Sequence, residues 1–320
     1  MPTFLLKQCL TETIGIITDI INLLMNEGHV PNSFKEALVT PLLKNGKPPN
    51  ELSSYRPIAQ LPFISKTLER VVANRIHAHL FEHDLLDIYQ SAYRFAHSTE
   101  TALIRIHNDI IEALDKGFCV PFVMLDLSAA FDMVDHAILL RRLHSTYGFS
   151  DTALDWIKSY LFGRSQRVRV GNDTSSYRTI CHGVPQGSVL GPLLYSLYSG
   201  PIGNICRKHG VKYHLYADDI QLYLVSRDNV DLSSKIAAIE CCIEDLMAWT
   251  RSNLLKANSD KTEFIIFRTR FSSSLAPSLI GRLRSLNIPP YIKSLGVYFD
   301  CTMSMSKQVN NIAKSVTSLE

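Results

Sequence analysis

The chain has 320 residues, of which 46% are hydrophobic and 20% are charged, and its formal net charge is +3. This composition is that of a globular protein with one large domain or two modest ones, and it excludes a strongly basic nucleic-acid coat protein. The seven cysteines form no CxxC pair and the 11 histidines add no ligand spacing, so we expect reduced thiols, no disulfide framework and no zinc site.

Helical periodicity begins close to the amino terminus. Residues 11–26 carry apolar side chains at helical spacing and stop before Gly28, which favours an amphipathic helix over a signal peptide. The same periodicity predicts helices at 64–81, 98–115, 135–146, 151–162, 188–199 and 231–252. The stretch from Gly183 to Cys206 carries no charge but contains three prolines, so we predict buried core and not a membrane span.

Strand-forming segments are interleaved with these helices. They are predicted at 120–126, 166–171, 212–217, 220–225, 262–267 and 294–299. Because helices and strands do not alternate strictly, the pattern favours an α+β fold with an antiparallel sheet covered on one face by helices.

Two adjacent aspartates, Asp218 and Asp219, lie between two of the predicted strands. Side-chain alternation places them at a tight turn, with the apolar residues of the returning strand inward and Gln221 and Tyr223 outward on an open face. The simpler interpretation is a turn stabilised by local backbone hydrogen bonds, which aspartate favours.

A third carboxylate, Asp126, ends the apolar strand at 120–126. A helix cap is the simpler interpretation of this residue also. Adjacent antiparallel strands would nevertheless bring it to the aspartate pair, where uncompensated carboxylates repel each other. Oxygen-only ligands suit Mg²⁺, and two such ions serve phosphoryl or nucleotidyl transfer.

A glycine-rich segment, GVPQGS at 183–188, lies between these carboxylates in the chain. Gly183, Pro185 and Gly187 predict a rigid turn, and Ser188 is placed to cap the helix that follows. Glycine allows close approach of a ligand, and Gln186 brings a side-chain amide to the same place.

The motifs LDLSAAFD, GVPQGSVLGP, YADD and KTEFIIF, in this order, closely resemble the reverse transcriptase domain of non-LTR (LINE, jockey-like) retrotransposons. The resemblance continues through VPNSFKEALVTPLLKNGKPP, SSYRPIAQLPFISKTLERVV, QSAYRFAHSTETAL and SLGVYFD, and covers roughly residues 29–305. It implies an α+β right-hand polymerase whose antiparallel palm sheet is backed by helices and whose thumb is truncated. The implied organisation is an N-terminal helical extension (1–40), mainly fingers (41–118), mainly palm with a fingers insertion (119–300), and the start of a thumb (301–320).

The resemblance also implies an activity, namely an RNA-directed DNA polymerase core that adds deoxynucleoside triphosphates to a primer 3′-hydroxyl by two-metal catalysis. Two Mg²⁺ ions are the expected cofactors, with Mn²⁺ as an alternative. The expected partners are an RNA template and a DNA primer or nicked target DNA, in the cytoplasm or nucleus and without a membrane. The alternative function is that of a catalytically idle remnant or a co-opted nucleic-acid-binding protein.

Individual residues acquire roles by matching the family's motifs. Asp126, Asp218 and Asp219 match the catalytic metal ligands, and Phe131 matches the steric gate against a ribose 2′-hydroxyl, a core phenylalanine being its alternative. Gln186 and Gly187 match the turn along the incoming nucleotide and template base.

Four basic residues also match positions that bind the nucleotide or the template. Lys261 matches a lysine that protonates the leaving pyrophosphate, unless it is a solvated surface lysine. Arg56, Lys66 and Arg94 match fingers residues that reach triphosphate or template, with surface ion pairs as the alternative.

Overall fold

The computed structural model describes residues 8–44, 46–269 and 288–317. Its helices are α1 (Leu10–Asn26), α2 (Asn32–Lys35), α3 (Phe63–Glu82), α4 (Thr99–Asp115), α5 (His136–Tyr147), α6 (Asp151–Leu161), α7 (Leu190–Ser199), α8 (Pro201–Lys208), α9 (Asn229–Ser252) and α10 (Ser306–Thr317). Its strands are β1 (Glu36–Leu43), β2 (Tyr55–Gln60), β3 (Val120–Ser128), β4 (Arg164–Val170), β5 (Asp173–Thr174), β6 (Arg178–Ile180), β7 (Lys212–Tyr216), β8 (Asp219–Tyr223), β9 (Lys256–Phe267), β10 (Tyr291–Ser294) and β11 (Val297–Asp300).

The described residues form two compact units, and each unit is built from two separate stretches of chain. The first unit comprises Met1–Leu86 and Ala129–Ser199, and the second comprises Asp87–Ser128 and Gly200–Glu320. The predicted boundaries of fingers, palm and thumb stay predictions.

The first unit contains a sheet of strand order β2-β1-β4-β5, with β6 also paired to β4. Strand β1 is antiparallel to β2 and parallel to β4. Neither β1 nor β2 is evident in the sequence, because Pro41 and Pro57 interrupt their patterns and proline cannot donate to a sheet ladder. The structure tolerates both: the two prolines face each other, β2 is an edge strand, and β4 pairs with β1 only as far as Val39.

The second unit is organised around an antiparallel sheet of order β7-β8-β3-β9. On one face Phe122 and Ile265 pack against Ile106 and Ile110 of α4, and Phe299 of β11 joins the same core. The side chains of the other face are also fully buried, and helices α8 and α9 contact these strands.

The expectation of an open face on the β7–β8 hairpin is therefore wrong. Gln221 and Tyr223, predicted to point outward into solvent, are 1% and 3% exposed, and Leu224 is only half-buried. The Gln221 side chain donates to Ser294 Oγ at 2.8 Å, so the β10–β11 hairpin covers the face that the alternation pattern left open.

All seven helices predicted from periodicity are present to within two residues at each end. The predicted strand at 294–299 is wrong in one respect: Leu295 and Gly296 form the turn of the β10–β11 hairpin, with φ of +46° and +93°. None of the helices in the described ranges is long and apolar enough to cross a membrane.

Candidate active site

The YADD segment forms the two-residue turn of the β7–β8 hairpin. Tyr216 and Asp219 are paired across the strands, which leaves Ala217 and Asp218 as the turn residues. Ala217 has φ of +55°, a left-handed conformation that costs a non-glycine residue of order 1 kcal/mol or more. The turn therefore holds both aspartates at the end of the sheet at some cost in backbone strain.

The central strand β3 brings Asp126 to the same end. Asp126 is paired with Asp219 of β8, so the two carboxylates lie on one face of the sheet. Directly opposed residues in an antiparallel pair have Cβ atoms about 4.5–5.5 Å apart, and like charges in such pairs are destabilising. The structure thus brings together the carboxylates that the sequence analysis expected to meet.

Two neighbouring side chains offset part of the charge on Asp126. Lys261 of β9 places Nζ 2.9 Å from Asp126 Oδ2, and Asn258 donates to the same oxygen at 3.3 Å. The pKa of Asp219 is raised to about 6, mainly by burial and then by the charges of Asp218 and Asp126, against the opposing effect of Lys261. Lys261 therefore offsets charge at both Asp126 and Asp219, although its side chain is 64% exposed.

The chemistry of this donor set fits a hard divalent cation. The donors are carboxylate oxygens in electrostatic excess, which is what Mg²⁺ prefers. In residues 8–44, 46–269 and 288–317, no group of three His, Cys, Asp or Glu side chains is arranged to hold an ion, and Asp126 instead contacts Lys261 and Asn258.

Replacing Asp219 with asparagine is expected to stabilise the metal-free protein at pH 8 by about 1–2 kcal/mol. The carboxyl of Asp219 has a pKa of about 6 in the folded state instead of its ordinary 3.8. Above pH 6 its ionisation therefore lowers the free energy of unfolding. One pKa unit corresponds to about 1.4 kcal/mol, and solvent access reduces the total. At pH 4 the carboxyl is almost fully neutral in the folded chain and only about half ionised in the unfolded chain, so most of the gain should be lost.

Urea unfolding in EDTA at pH 8 and pH 4 measures this difference, with the exposed Asp115→Asn as the matched control. Equal stability of wild type and Asp219→Asn at pH 8 would contradict the predicted charge conflict.

The glycine-rich segment lies in the first unit and is packed against two backbones. Gly183 has φ of +83°, and a Cβ there would lie 2.8 Å from the carbonyl oxygen of Asp132. Gly187 has φ of +106°, and a Cβ there would lie 2.7 Å from the carbonyl oxygen of Ala59. Both positions therefore require glycine, for conformation and for space.

Main-chain hydrogen bonds fix the same segment. The Ala59 N–H donates to the Gln186 carbonyl at 2.7 Å, and the Val184 N–H donates to the Phe131 carbonyl at 2.8 Å. The Ser188 hydroxyl accepts from the Gly191 N–H at 3.0 Å, which confirms its predicted capping role although α7 begins at Leu190.

Glu69 is a buried anchor of this segment that the sequence analysis missed. Its carboxylate is 1% exposed and accepts from the N–H groups of Val189 and Leu190 at 2.7 and 3.0 Å, and from the Tyr160 hydroxyl at 3.3 Å. Burial raises the pKa of Glu69, and these hydrogen bonds oppose that shift. Its signal in the sequence is an acid on the apolar stripe of a helix, between Leu68 and Val72.

Phe131 is half-buried and its ring stacks on Tyr195, with centroids 4.9 Å apart and an interplanar angle of 28°. Both carboxylate oxygens of the next residue, Asp132, accept from Gln186 Nε2 at 3.1 Å, and the sequence did not predict this contact. Nothing in the sequence marks it, because the two residues are 54 positions apart.

The three basic residues assigned to the fingers are divided between the units. Arg56 is exposed on β2 and Lys66 is half-buried on α3, both in the first unit. Arg94 belongs to the second unit, where it donates to the Asp87 carbonyl at 3.0 Å. Their roles toward nucleotide or template stay predictions.

Comparison with known proteins identifies the family. The model of the family described as "Reverse transcriptase (RNA-dependent DNA polymerase)" matches residues 43–308. The chain is 29% identical over 310 residues to "RNA-directed DNA polymerase from mobile element jockey" of Drosophila melanogaster, covering 95% of this chain and 33% of the relative. It is 33% identical over 301 residues to "Probable RNA-directed DNA polymerase from transposon BS" of the same species, covering 92% of this chain and 33% of the relative.

Solved structures with the same fold include apo telomerase from Candida tropicalis truncated from its C-terminal domain. The TM-score is 0.56 at 13% sequence identity, over 87% of this chain and 55% of the telomerase chain. This likeness supports the fold alone, that of polymerase fingers and palm. The chain spans about a third of the length of the curated relatives. The match of the family model over residues 43–308, together with the ordered motifs, shows that the chain belongs to the reverse transcriptase family.

Proposed function

We propose that the chain is the catalytic core of an RNA-directed DNA polymerase that extends a DNA primer, or nicked target DNA, on an RNA template. The observation that carries the proposal is the pairing of Asp126 with Asp219 across two strands, beside Asp218 in the adjoining turn. A module that only binds nucleic acid gains nothing from concentrating carboxylates near a polyanion, whereas a nucleotidyltransferase requires them.

In the proposed reaction the primer 3′-oxygen forms a bond to the α-phosphorus of a deoxynucleoside triphosphate. The bond from that phosphorus to the bridging oxygen breaks, pyrophosphate leaves, and the hydroxyl proton passes to solvent. Asp126, Asp218 and Asp219 would hold two Mg²⁺ ions. Such ions, when bound, lower the pKa of the attacking hydroxyl and neutralise charge on the leaving group.

Lys261 is assigned to the leaving pyrophosphate. Its ammonium contacts Asp126 at 2.9 Å, on a side chain exposed enough to turn toward another anion. A divalent cation held by Asp126 would neutralise its charge, and Lys261 would then be available to bind a phosphate as a compact positive charge.

The remaining assigned residues act through shape and donor geometry. Gln186 and Gly187 form the turn assigned to the incoming nucleotide and the template base, and the missing Cβ of Gly187 lets this turn pack directly on the Ala59 backbone. Arg56, Lys66 and Arg94 supply donors and positive charge for triphosphate or template phosphates.

Replacing Phe131 with alanine is expected to reduce discrimination against ribonucleotides by about 10- to 100-fold. A bulky ring assigned to the sugar edge excludes a 2′-hydroxyl. Steric pockets discriminate between substrates that differ by one small group by about 10- to 100-fold. The measurement is the ratio of kcat/KM for dTTP and UTP on one template–primer. Leucine at this position is the control, since it retains most of the bulk; unchanged sugar discrimination in the alanine variant would refute the gate.

The test of the proposed function is extension of an oligo(dT) primer on poly(rA) by the purified chain with dTTP and Mg²⁺. Extension that requires the divalent ion and the RNA template supports the proposal. Measurable template–primer binding without extension, unchanged by EDTA, would instead identify a catalytically idle nucleic-acid-binding protein.

A further inference from the structure

The contact between Asp132 and Gln186 fixes the orientation of an amide at the glycine-rich segment. Gln186 Nε2 lies 3.1 Å from both Asp132 Oδ1 and Oδ2. An ionised carboxylate has acceptor positions only, so the amide must turn its nitrogen toward Asp132. The opposite end of the amide, the carbonyl oxygen Oε1, is then directed away from Asp132 as a hydrogen-bond acceptor.

The backbone at both ends of this contact is also held. Gly183 packs on the Asp132 backbone without room for a Cβ, and the Gln186 carbonyl accepts the Ala59 N–H at 2.7 Å. Gln186 is therefore fixed at its main chain and at its side chain. An acceptor held in this way needs little reorganisation when a ligand arrives, which favours binding.

We propose that Asp132 is a positioning residue that holds Gln186 as an acceptor for a sugar hydroxyl group of the bound nucleotide or template. This inference rests on the proposed function and deepens it. Phosphates offer no donor at neutral pH, and the donors on base edges change from base to base. Sugar hydroxyls are the donors that occur at every nucleotide. Two sources share this chemistry: the 3′-hydroxyl of the incoming nucleotide and the 2′-hydroxyl of an RNA template.

A double-substitution cycle tests whether Asp132 acts through Gln186. We expect Asp132→Asn to lower kcat/KM for dTTP about 5- to 10-fold, because an asparagine both donates and accepts and no longer selects one amide orientation. The combined Asp132→Asn/Gln186→Ala variant should be no slower than Gln186→Ala alone. Multiplied losses in the combined variant would overturn the proposal, since Asp132 would then act independently.

Two ratios distinguish the source of the hydroxyl. If it belongs to the incoming nucleotide, the preference for dTTP over 2′,3′-dideoxythymidine triphosphate falls in Asp132→Asn, mainly through KM. If it belongs to the template, the preference for poly(rA) over poly(dA) falls instead. Loss of overall rate with neither ratio changed would indicate a structural role only and overturn the inference. The exposed Asp173→Asn in the same unit is the matched control and should change neither ratio.

A spectroscopic measurement separates this inference from the proposed function. In protein labelled with ¹⁵N-glutamine, the Gln186 side-chain amide is assigned by its disappearance in Gln186→Ala. Its protons should be shifted and protected from exchange in the wild type, and should approach the values of an exposed glutamine in Asp132→Ala. An unchanged amide signal would overturn the positioning role even if the polymerase is active. A wild type that extends no primer but shows the shift would refute the proposed function alone.

Discussion

Replacing Asp218 with alanine is expected to lower the rate of primer extension by at least about 10³-fold while the protein stays folded. Asp218 sits in the strained β7–β8 turn, where it adds to the charge that raises the pKa of Asp219, so it belongs to the same electrostatic site. Stabilisation of developing charge by metal ions is worth several kcal/mol, and each 1.4 kcal/mol changes the rate about tenfold. Single-turnover extension with Mg²⁺ measures the loss.

The matched control for that variant is Asp115→Asn, an exposed aspartate at the end of α4 in the same unit, which should retain full activity. Detectable synthesis by a clean Asp218→Ala preparation would remove this residue from the catalytic assignment. Removing Asp218 also removes a repulsive charge, so the variant should be no less stable than wild type at pH 8. A lower free energy of unfolding in Asp218→Ala would show that Asp218 stabilises the turn, and the loss of activity would then not be assigned to catalysis.

Replacing Glu69 with alanine is expected to destabilise the first unit by about 2–4 kcal/mol. The substitution leaves the N–H groups of Val189 and Leu190 without an acceptor, and a buried unpaired donor costs about 1–3 kcal/mol. It also removes a negative charge from the amino-terminal end of α7, where the helix dipole favours one.

Tryptophan fluorescence provides a direct measurement, because the chain has two tryptophans and each unit contains one. In a Trp249→Phe background, Trp156 reports the first unit during urea unfolding; it is 3% exposed and stacks on Tyr160. Two controls bracket the effect. The exposed Glu82→Ala on the same helix should cost less than about 0.5 kcal/mol.

The second control, Tyr160→Phe, removes one of the three hydrogen bonds to the carboxylate and should cost about 1 kcal/mol. A loss in Glu69→Ala no larger than that in Tyr160→Phe would refute the anchoring role.

Features encoded by neighbouring residues were evident from the sequence. Helix positions follow from side-chain periodicity, so the seven predicted helices are present nearly as expected. The turn that carries Asp218 and Asp219 and the strand that ends in Asp126 are likewise local patterns. Strands β1 and β2 were not predicted, because each contains a proline. The sequence does not show which edge of a strand is hydrogen-bonded, so it does not show where a proline is tolerated.

The environment of each side chain required the tertiary structure. The outward-facing assignment of Gln221 failed because the hairpin that covers it lies more than 70 residues further along the chain. The partners of Glu69 are 91, 120 and 121 positions away, and the partner of Asp132 is 54 positions away. Alternation tells which face a residue occupies, but not what is packed against that face.

The sequence alone therefore determined the family, the α+β architecture and the carboxylates. Ordered motifs and local periodicity can be recognised without knowing which distant residues are in contact. The tertiary structure decided that Asp126 opposes Asp219, that Lys261 is their shared cation, and that Glu69 and Asp132 hold the glycine-rich segment. The physical reason is that pKa shifts and hydrogen bonds depend on separations of a few ångströms, which chain folding sets between residues far apart in sequence.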